Sequence, residues 1–310
     1  LTYDVSNNIT GRIAAIIDYN YITVHKKCGF FGFFECLNDI KVAKTLFLAV
    51  KSWLNCKGID KMIGPMNPSI NNNCGFLSYG FNLPPVLMMP YNPKYYITLA
   101  ENSGLIKIKE LYAYNLDLVK INKNLKNIVF KIYNKLPNLR LRNVTKKTFV
   151  NDIKDLMEIY NDAWKDNWGF VPWTDEEFNL LANKLKMIMD PKLVFIVSIS
   201  GEPAGMLIAI PDYNIILKKL NGKLFPLGFI KALIYKKHIN YLRIMIMGIK
   251  KKYRFKGIEA IMYEAGLRNA LKIGYKYCEL SWILNDNIMV QRTINMMGGQ
   301  LVKKYKIYQS

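Results

Sequence analysis

The sequence is short of the residues that build metal centres and disulfide frameworks. Five cysteines occur, Cys28, Cys36, Cys56, Cys74 and Cys278, an odd number without a C-x-x-C pair. This argues for free thiols in a reducing cytoplasm and against a disulfide scaffold. Two histidines, His25 and His238, are too few for a histidine-based metal site, so no metal is expected. No serine sits in a nucleophile elbow, which argues against Ser-His-Asp chemistry. No apolar run reaches the roughly 20 residues of a membrane-crossing helix. Long apolar stretches such as Leu193–Ile199 and Met206–Ile210 are cut by Gly201, Glu202 and Pro203. No transmembrane segment or secretory leader is therefore expected. The first residue is Leu, which raises the expectation that an N-terminal portion is missing.

Acidic residues and arginines are also scarce. There are 44 Lys plus Arg against 23 Asp plus Glu, a net charge of +21, and lysines outnumber arginines 37 to 7. A surface made for polyanions favours arginine for its bidentate fork. The excess of Lys, Asn and Ile reads mainly as compositional drift on solvated faces, with a nucleic-acid partner such as tRNA, or an anionic membrane surface, kept as alternatives. What is present is core material. Apolar residues make up 51% and aromatics 13% of 310 residues, which excludes a disordered chain. The length fits one large domain or two of about 150 residues.

The organising stretch runs from Ile244 to Gly274. An apolar run, Ile244–Ile249, predicts a buried strand. Three lysines and Tyr253-Arg254-Phe255-Lys256-Gly257 follow as a basic loop. An amphipathic helix then begins, with Ile258, Ile261, Met262 and Ala265 on one face and the Glu264/Arg268 pair on the other. The first turn of a helix carries unpaired N–H groups and a positive dipole end, and a glycine lets backbone approach a ligand. Such a site suits a pyrophosphate.

The elements around it alternate. Strands are predicted at Gly11–Asp18, Gly29–Leu37, Lys61–Gly64 and Ile106–Leu118, with helices from Asn38 or Asp39 to Lys57 and from Tyr91 to Gly104. Leu125–Asn138 reads as a basic helix or linker, and Pro137 marks a boundary. The second half reads as strand Leu139–Val144, helices Phe149–Trp164 and Thr174–Met189, and strands Leu193–Ser200 and Pro203–Ile210. Thr174 with Glu177 fits a capping box. After a basic, apolar insertion, Asn214–Asn240, come the central unit, strand Tyr277–Ile283, a helix from Asn285 or Asn287 to Met297, and strand Leu301–Tyr308. The halves echo each other. Helices end in Lys57-Gly58-Ile59 and Ile273-Gly274-Tyr275, and Asn92 and Asn287 precede Gly104 and Gly299 by the same interval. Two copies of one fold are expected, at residues 1–136 and 137–310. The first copy is incomplete, and about 60 further residues before it would complete it.

Arg254-x-x-Gly257-x-Glu259 resembles the Arg/Gln-x-x-Gly-x-Gly/Ala motif of Gcn5-related N-acetyltransferases, with Glu259 departing from the pattern. The segments GRIAAIID, GFFGFFE, GPMNPS, MMPYNPKYY and ELSWILNDN are similar to an uncharacterised bacterial N-acetyltransferase-like family, over nearly the whole chain. The resemblance implies an α/β (α+β) fold of two tandem domains, each a mixed, mostly antiparallel sheet flanked by helices. It implies acetyl-CoA as co-substrate, held at Ile249, Arg254, Phe255, Lys256, Gly257 and Ile258, with Asn287 on the pantetheine arm. The first half has no equivalent motif, since Cys36-Leu37-Asn38-Asp39 lacks glycine. Only the second half is expected to act, passing an acetyl group to a small-molecule or peptide amine.

A thioester is already activated, so the protein needs few groups of its own. Glu279, a carboxylate in an apolar strand, is a candidate base, with a structural ion pair to a lysine such as Lys250 as the other reading. Ser281 shares its face. Ile294 stands where the family often has the Tyr that protonates the leaving thiolate, so Tyr305, Tyr308 or water is the candidate acid. Trp164, Trp168 and Trp173, grouped around Gly169 and Pro172, suggest an aromatic acceptor pocket at Trp168 and Trp173, or a plug between the halves. Two other functions stay open. One is a Fem-type transferase using aminoacyl-tRNA. The other is a non-catalytic binding module.

Overall fold

The computed structural model describes residues 1–25, 27–121, 125–145, 147–222 and 228–310. In chain order the strands of the first half are β1 (Thr2–Tyr3), β2 (Ile9–Ile16), β3 (Gly29–Cys36), β4 (Met62–Gly64), β5 (Met66–Asn67), β6 (Asn73–Cys74), β7 (Phe76–Tyr79) and β8 (Ile106–Asp117). Its helices are α1 (Tyr19–Val24), α2 (Ile40–Cys56), α3 (Tyr95–Asn102) and α4 (Leu125–Lys135). The second half adds β9 (Leu139–Asn143), α5 (Phe149–Trp164), α6 (Asp175–Ile188), β10 (Val194–Ile199), β11 (Glu202–Pro211), α7 (Asn214–Leu220), α8 (Gly228–Lys236), β12 (Tyr241–Ile249), α9 (Ile258–Ile273), β13 (Tyr277–Leu284), α10 (Ile288–Met296) and β14 (Gln300–Gln309).

One mixed, mostly antiparallel sheet runs β1-β2-β3-β4-β14-β8-β13-β12-β11-β10-β9, with β7 also on β14. Two neighbouring pairs in it are parallel, β3 with β4 and β12 with β13. Each is joined by a long helix, α2 or α9, as a parallel crossover requires. Each unit is followed by a short helix and a long strand, α3–β8 or α10–β14. The long strands are exchanged. β8 of the first half lies against β13, and β14 of the second half lies against β4. The centre of the sheet therefore belongs to both halves.

Alternation along the strands assigns the two faces. Val194, Ile196, Met206, Ile208 and Ile210 face α5 and α6. Phe195, Val197, Leu207 and Ala209 face Ile258, Ile261, Met262 and Ala265 of α9. The second helix of the second half starts as its capping box predicts, with Thr174 and Glu177 bonded reciprocally. In the first half α2 buries Leu46, Phe47, Val50 and Leu54 against Phe31 and Phe34. Among the described residues no helix is long and apolar enough to cross a membrane.

Candidate active site at the strand fork

β12 and β13 pair in parallel only from Tyr241–Ile244 against Tyr277–Leu280. Beyond that point β12 stays with β11, after a bulge that passes over Met245, and β13 stays with β8. The two strands part, and the edge of β12 that faced β13 loses its strand partner.

At the end of β12 the chain makes one tight turn, Lys251–Tyr253, and then reaches α9 through Phe255 at φ +62° and Gly257 at φ +81°. None of the backbone N–H groups from Phe255 to Glu259 has a partner among the described residues. These are the orphan donors of a helix start. The turn is held from outside. The Nζ of Lys250 pairs with Glu158 and Glu202, and Lys252 with Glu202. The Tyr253 hydroxyl donates to Glu202 Oε2 at 2.8 Å, and the Lys251 N–H to Asp162 Oδ1 at 2.6 Å. Lys251 also pairs with Asp166. Hydrogen bonds from Lys252 and Tyr253 hold the Glu202 carboxyl down at about 2.

The predicted cofactor residues divide by this geometry. Arg254 does not offer its guanidinium to the turn. It donates to Ala163 O at 2.6 Å, closing the last turn of α5, and to Ile249 O at 3.4 Å. The Phe255 ring is 81% exposed, and Ile258 is buried in the core, so each brings only its backbone N–H. Lys256 is exposed beside the Tyr253 ring. Gly257 lies against Ile132 of α4, where a Cβ would come within 2.7 Å of its Cδ1. Asn287 caps α10, its Oδ1 accepting from the Val290 N–H.

On the α5/α6 face a cavity of about 380 Å³ opens at the fork. Four of the five tryptophans line it, Trp164, Trp168, Trp173 and Trp282. Tyr160 stacks on Trp164 at 4.7 Å between ring centres, and Trp164 in turn covers Gly248. The first half contributes the wall from Asn67 to Cys74, and Met88. Asn71 bonds across the halves, donating to Val171 O and accepting from the Tyr160 hydroxyl. The aromatic loop thus forms a pocket lined by both halves, with Trp168 and Trp173 in its wall.

Beneath the cavity lies a buried polar cluster. Arg243, on β12, lines the floor and is 4% exposed. It donates from Nε to Ser281 Oγ at 3.2 Å and from Nη1 to Leu87 O at 2.9 Å and Met88 O at 3.2 Å. Burial pulls it down to about 10. Ser281 is thereby occupied with Arg243 and with Met89 Sδ. Glu279 is fully buried and receives a hydrogen bond from Lys303 Nζ at 2.6 Å. Its partner is Lys303 of β14 rather than Lys250, and its Oε1 has no partner among the described residues.

Tyr308 corrects the expectation of a catalytic acid. It pairs in register with Gly64 of the first half, sits in the core under α2, and donates to Glu101. Strand exchange carries it away from the fork. Tyr305 stays closer, edge-on to Trp282, its hydroxyl without a partner among the described residues. Burial raises it far above the ordinary phenol range. Arg243, Tyr160 and the Asn67–Asn73 wall were not singled out by the sequence. The available signal for Arg243 was one arginine inside the apolar strand YLRIMIMGI of a lysine-rich chain.

These features define the Gcn5-related N-acetyltransferase fold. Over 99% of its length the chain superposes on a Gcn5-related N-acetyltransferase from Sphaerobacter thermophilus, with a TM-score of 0.57, 10% identity and 78% of that chain covered. A tandem protein of this fold from the clavulanic acid biosynthesis pathway gives 0.54 at 10% identity, covering 99% of this chain and 80% of that one. No protein-family model matches. In sequence the chain is 34% identical to the bacterial ceramide synthase of Caulobacter vibrioides, covering 96% of this chain and 80% of that one. It is 30% identical to the protein YghO of Escherichia coli, covering 98% and 80%. The chain belongs to the family of these two proteins.

Proposed function

We propose that the protein is an acyl-CoA-dependent N-acyltransferase whose acceptor is a long-chain amine. The carrying observation is the parting of β12 and β13 between a run of free amides and an aromatic cavity. A ceramide is an N-acylated long-chain amino alcohol, and a relative at 34% identity bears that activity in its name. A cavity with four tryptophans, Phe170, Leu181 and Met245 in its wall, beside five asparagines and Arg243, suits an amine with a long apolar body and a polar head. The acyl group is accordingly read as longer than the acetyl that the motif alone implies. The two halves are read as tandem copies of one fold, with the chemistry at the second.

The N–H groups of Phe255 to Glu259, with Lys256 beside them, would hold the diphosphate of the co-substrate. CoA supplies an activated thioester carbonyl. The amine nitrogen forms a bond to that carbonyl carbon, the C–S bond breaks, and the amine proton leaves, giving an amide and free CoA thiol. The free edge of β12 past Ile244 would orient the carbonyl, and the tryptophan walls exclude bulk water from it. Glu279 is read as the structural partner of Lys303, with proton transfer left to the solvent of the cavity mouth. The test is purified protein with palmitoyl-CoA and sphinganine, followed by mass spectrometry and thiol release. An N-acyl product with one equivalent of thiol supports the reading. Thiol release without amide, or product only from short polar amines, overturns it.

A further inference from the structure

The connection from β11 to β12 is unlike its neighbours. Ser200 and Gly201 suffice to join β10 to β11, yet residues 212–240 stand between the antiparallel neighbours β11 and β12. Within this insertion α7 and α8 pack on each other and on the core through Ile216, Leu220 and Tyr235. Their outer sides carry exposed apolar residues: Leu217 is 52%, Ile230 55% and Ile234 54% exposed. Ile230 and Ile234 lie one helical turn apart on α8, so they form one stripe. Lysines flank them. Between Tyr213 and Asn240 the sequence has six lysines and no carboxylate, and the next acidic residue after Asp212 is Glu259. Lys218, Lys231 and Lys237 are exposed. In the fork loop Lys251 and Lys252 are neutralised by Asp166 and Glu202, whereas past Asp212, which is buried at its root, the insertion has no acidic residue.

We propose that α7 and α8 dock the protein on an anionic lipid bilayer surface, with Leu217, Ile230 and Ile234 entering the interface and the lysines meeting headgroups. Exposed apolar side chains set among lysines match that partner on both counts. A purely electrostatic polyanion partner leaves the three apolar side chains without use. The root of the insertion is bolted to the cavity wall. Asp212 Oδ1 accepts from the Leu87 N–H at 2.9 Å, Asn214 Nδ2 donates to Pro85 O at 2.9 Å, and Arg243 holds the carbonyls of Leu87 and Met88. Met88 lines the cavity. Docking here therefore sets the cavity wall beside the surface from which a long-chain amine would be drawn, a consequence that rests on the proposed function.

The test is co-sedimentation with vesicles of phosphatidylcholine alone and of phosphatidylcholine with phosphatidylglycerol, read without substrate. Binding is expected only with the anionic vesicles. Exchanging Lys218, Lys231 and Lys237 for Gln is expected to lower partition by on the order of a hundredfold. Replacing Leu217, Ile230 and Ile234 by Ser, which leaves charge unchanged, is expected to lower it about tenfold or more. All six side chains are exposed, and thermal melts of both variants check that the fold is kept. No binding to anionic vesicles overturns the proposal. So does binding that the Ser variant retains in full, or that is matched by tRNA with the same variant dependence. Each of these three failures leaves the acyl-transfer reading untouched, since no turnover is measured.

Discussion

Replacing Lys303 by Met strands the carboxylate of Glu279 in the core. The two side chains meet at 2.6 Å and are 3% and 0% exposed, so solvent cannot take the lysine's place. Breaking a buried pair by removing one partner costs about 3–5 kcal/mol, whereas replacing both by apolar residues is often neutral or stabilising. Arg243 lies in the same cluster and offsets part of the loss. The unpartnered Oε1 adds to it. The single variant should therefore lose about 3 kcal/mol, roughly 1 M in urea midpoint for a slope near 3 kcal/mol/M. The pair Glu279→Leu with Lys303→Met should recover most of this. Urea unfolding followed by tryptophan fluorescence reads both, as a double-mutant cycle. The same paired variant separates structure from chemistry, because a folded protein without Glu279 should keep kcat/KM within severalfold. A cost below about 1 kcal/mol for the single variant would refute the assignment as a stabilising pair. A paired variant that folds but does not turn over would make Glu279 a catalytic group.

Three further outcomes follow from the same geometry. Gly248→Ala would place a Cβ 2.2 Å from the Trp164 indole, forcing it off the cavity wall. A loss of about 1–3 kcal/mol in thermal or urea unfolding is expected, with a rise in KM for the amine. Thiol titration at pH 8 should find one fast cysteine, Cys56, because Cys28, Cys36, Cys74 and Cys278 are buried. Burial lifts the first two to about 11 and the last two to about 12. All five should react after unfolding. Glu202 is held at about 2 from an ordinary 4.5, so its tether to the fork loop is complete above that ordinary value and lost as pH falls toward 2. Limited proteolysis between Lys250 and Lys256 should rise over that acid range, and Glu202→Gln should show the high rate at neutral pH.

Periodicity carried most of the fold. The α2, α5 and α9 helices and the strands beside them fall where apolar spacing places them. The Thr174 capping box was local chemistry, legible because both partners lie within one turn. Strand exchange was not legible, since which half a long strand joins depends on contacts far apart in sequence. That is why Tyr308, in register for the fork by its half, lies instead beside Gly64. The fork loop was readable from Gly257 and its lysines, but the path of Arg254 to Ala163 O was not. Arg243 escaped notice because burial and partners, not spacing, give it its place. The wall from Asn67 to Cys74 looked like an ordinary polar loop, and only packing across the halves turns it into a cavity lining.

The central claim is that the free amides of Phe255 to Glu259 receive a diphosphate. Calorimetric titration of the intact chain with CoA tests it directly, alongside Lys256→Glu, an exposed change beside the turn, and Gly257→Asp, which puts a carboxylate into it. Saturable binding is expected, weakened about tenfold by the first variant, which keeps the native melt, and abolished by the second, whose added side chain also strains the φ +81° backbone against Ile132. CoA binding that neither substitution alters, or no binding by the unaltered protein, would contradict the account.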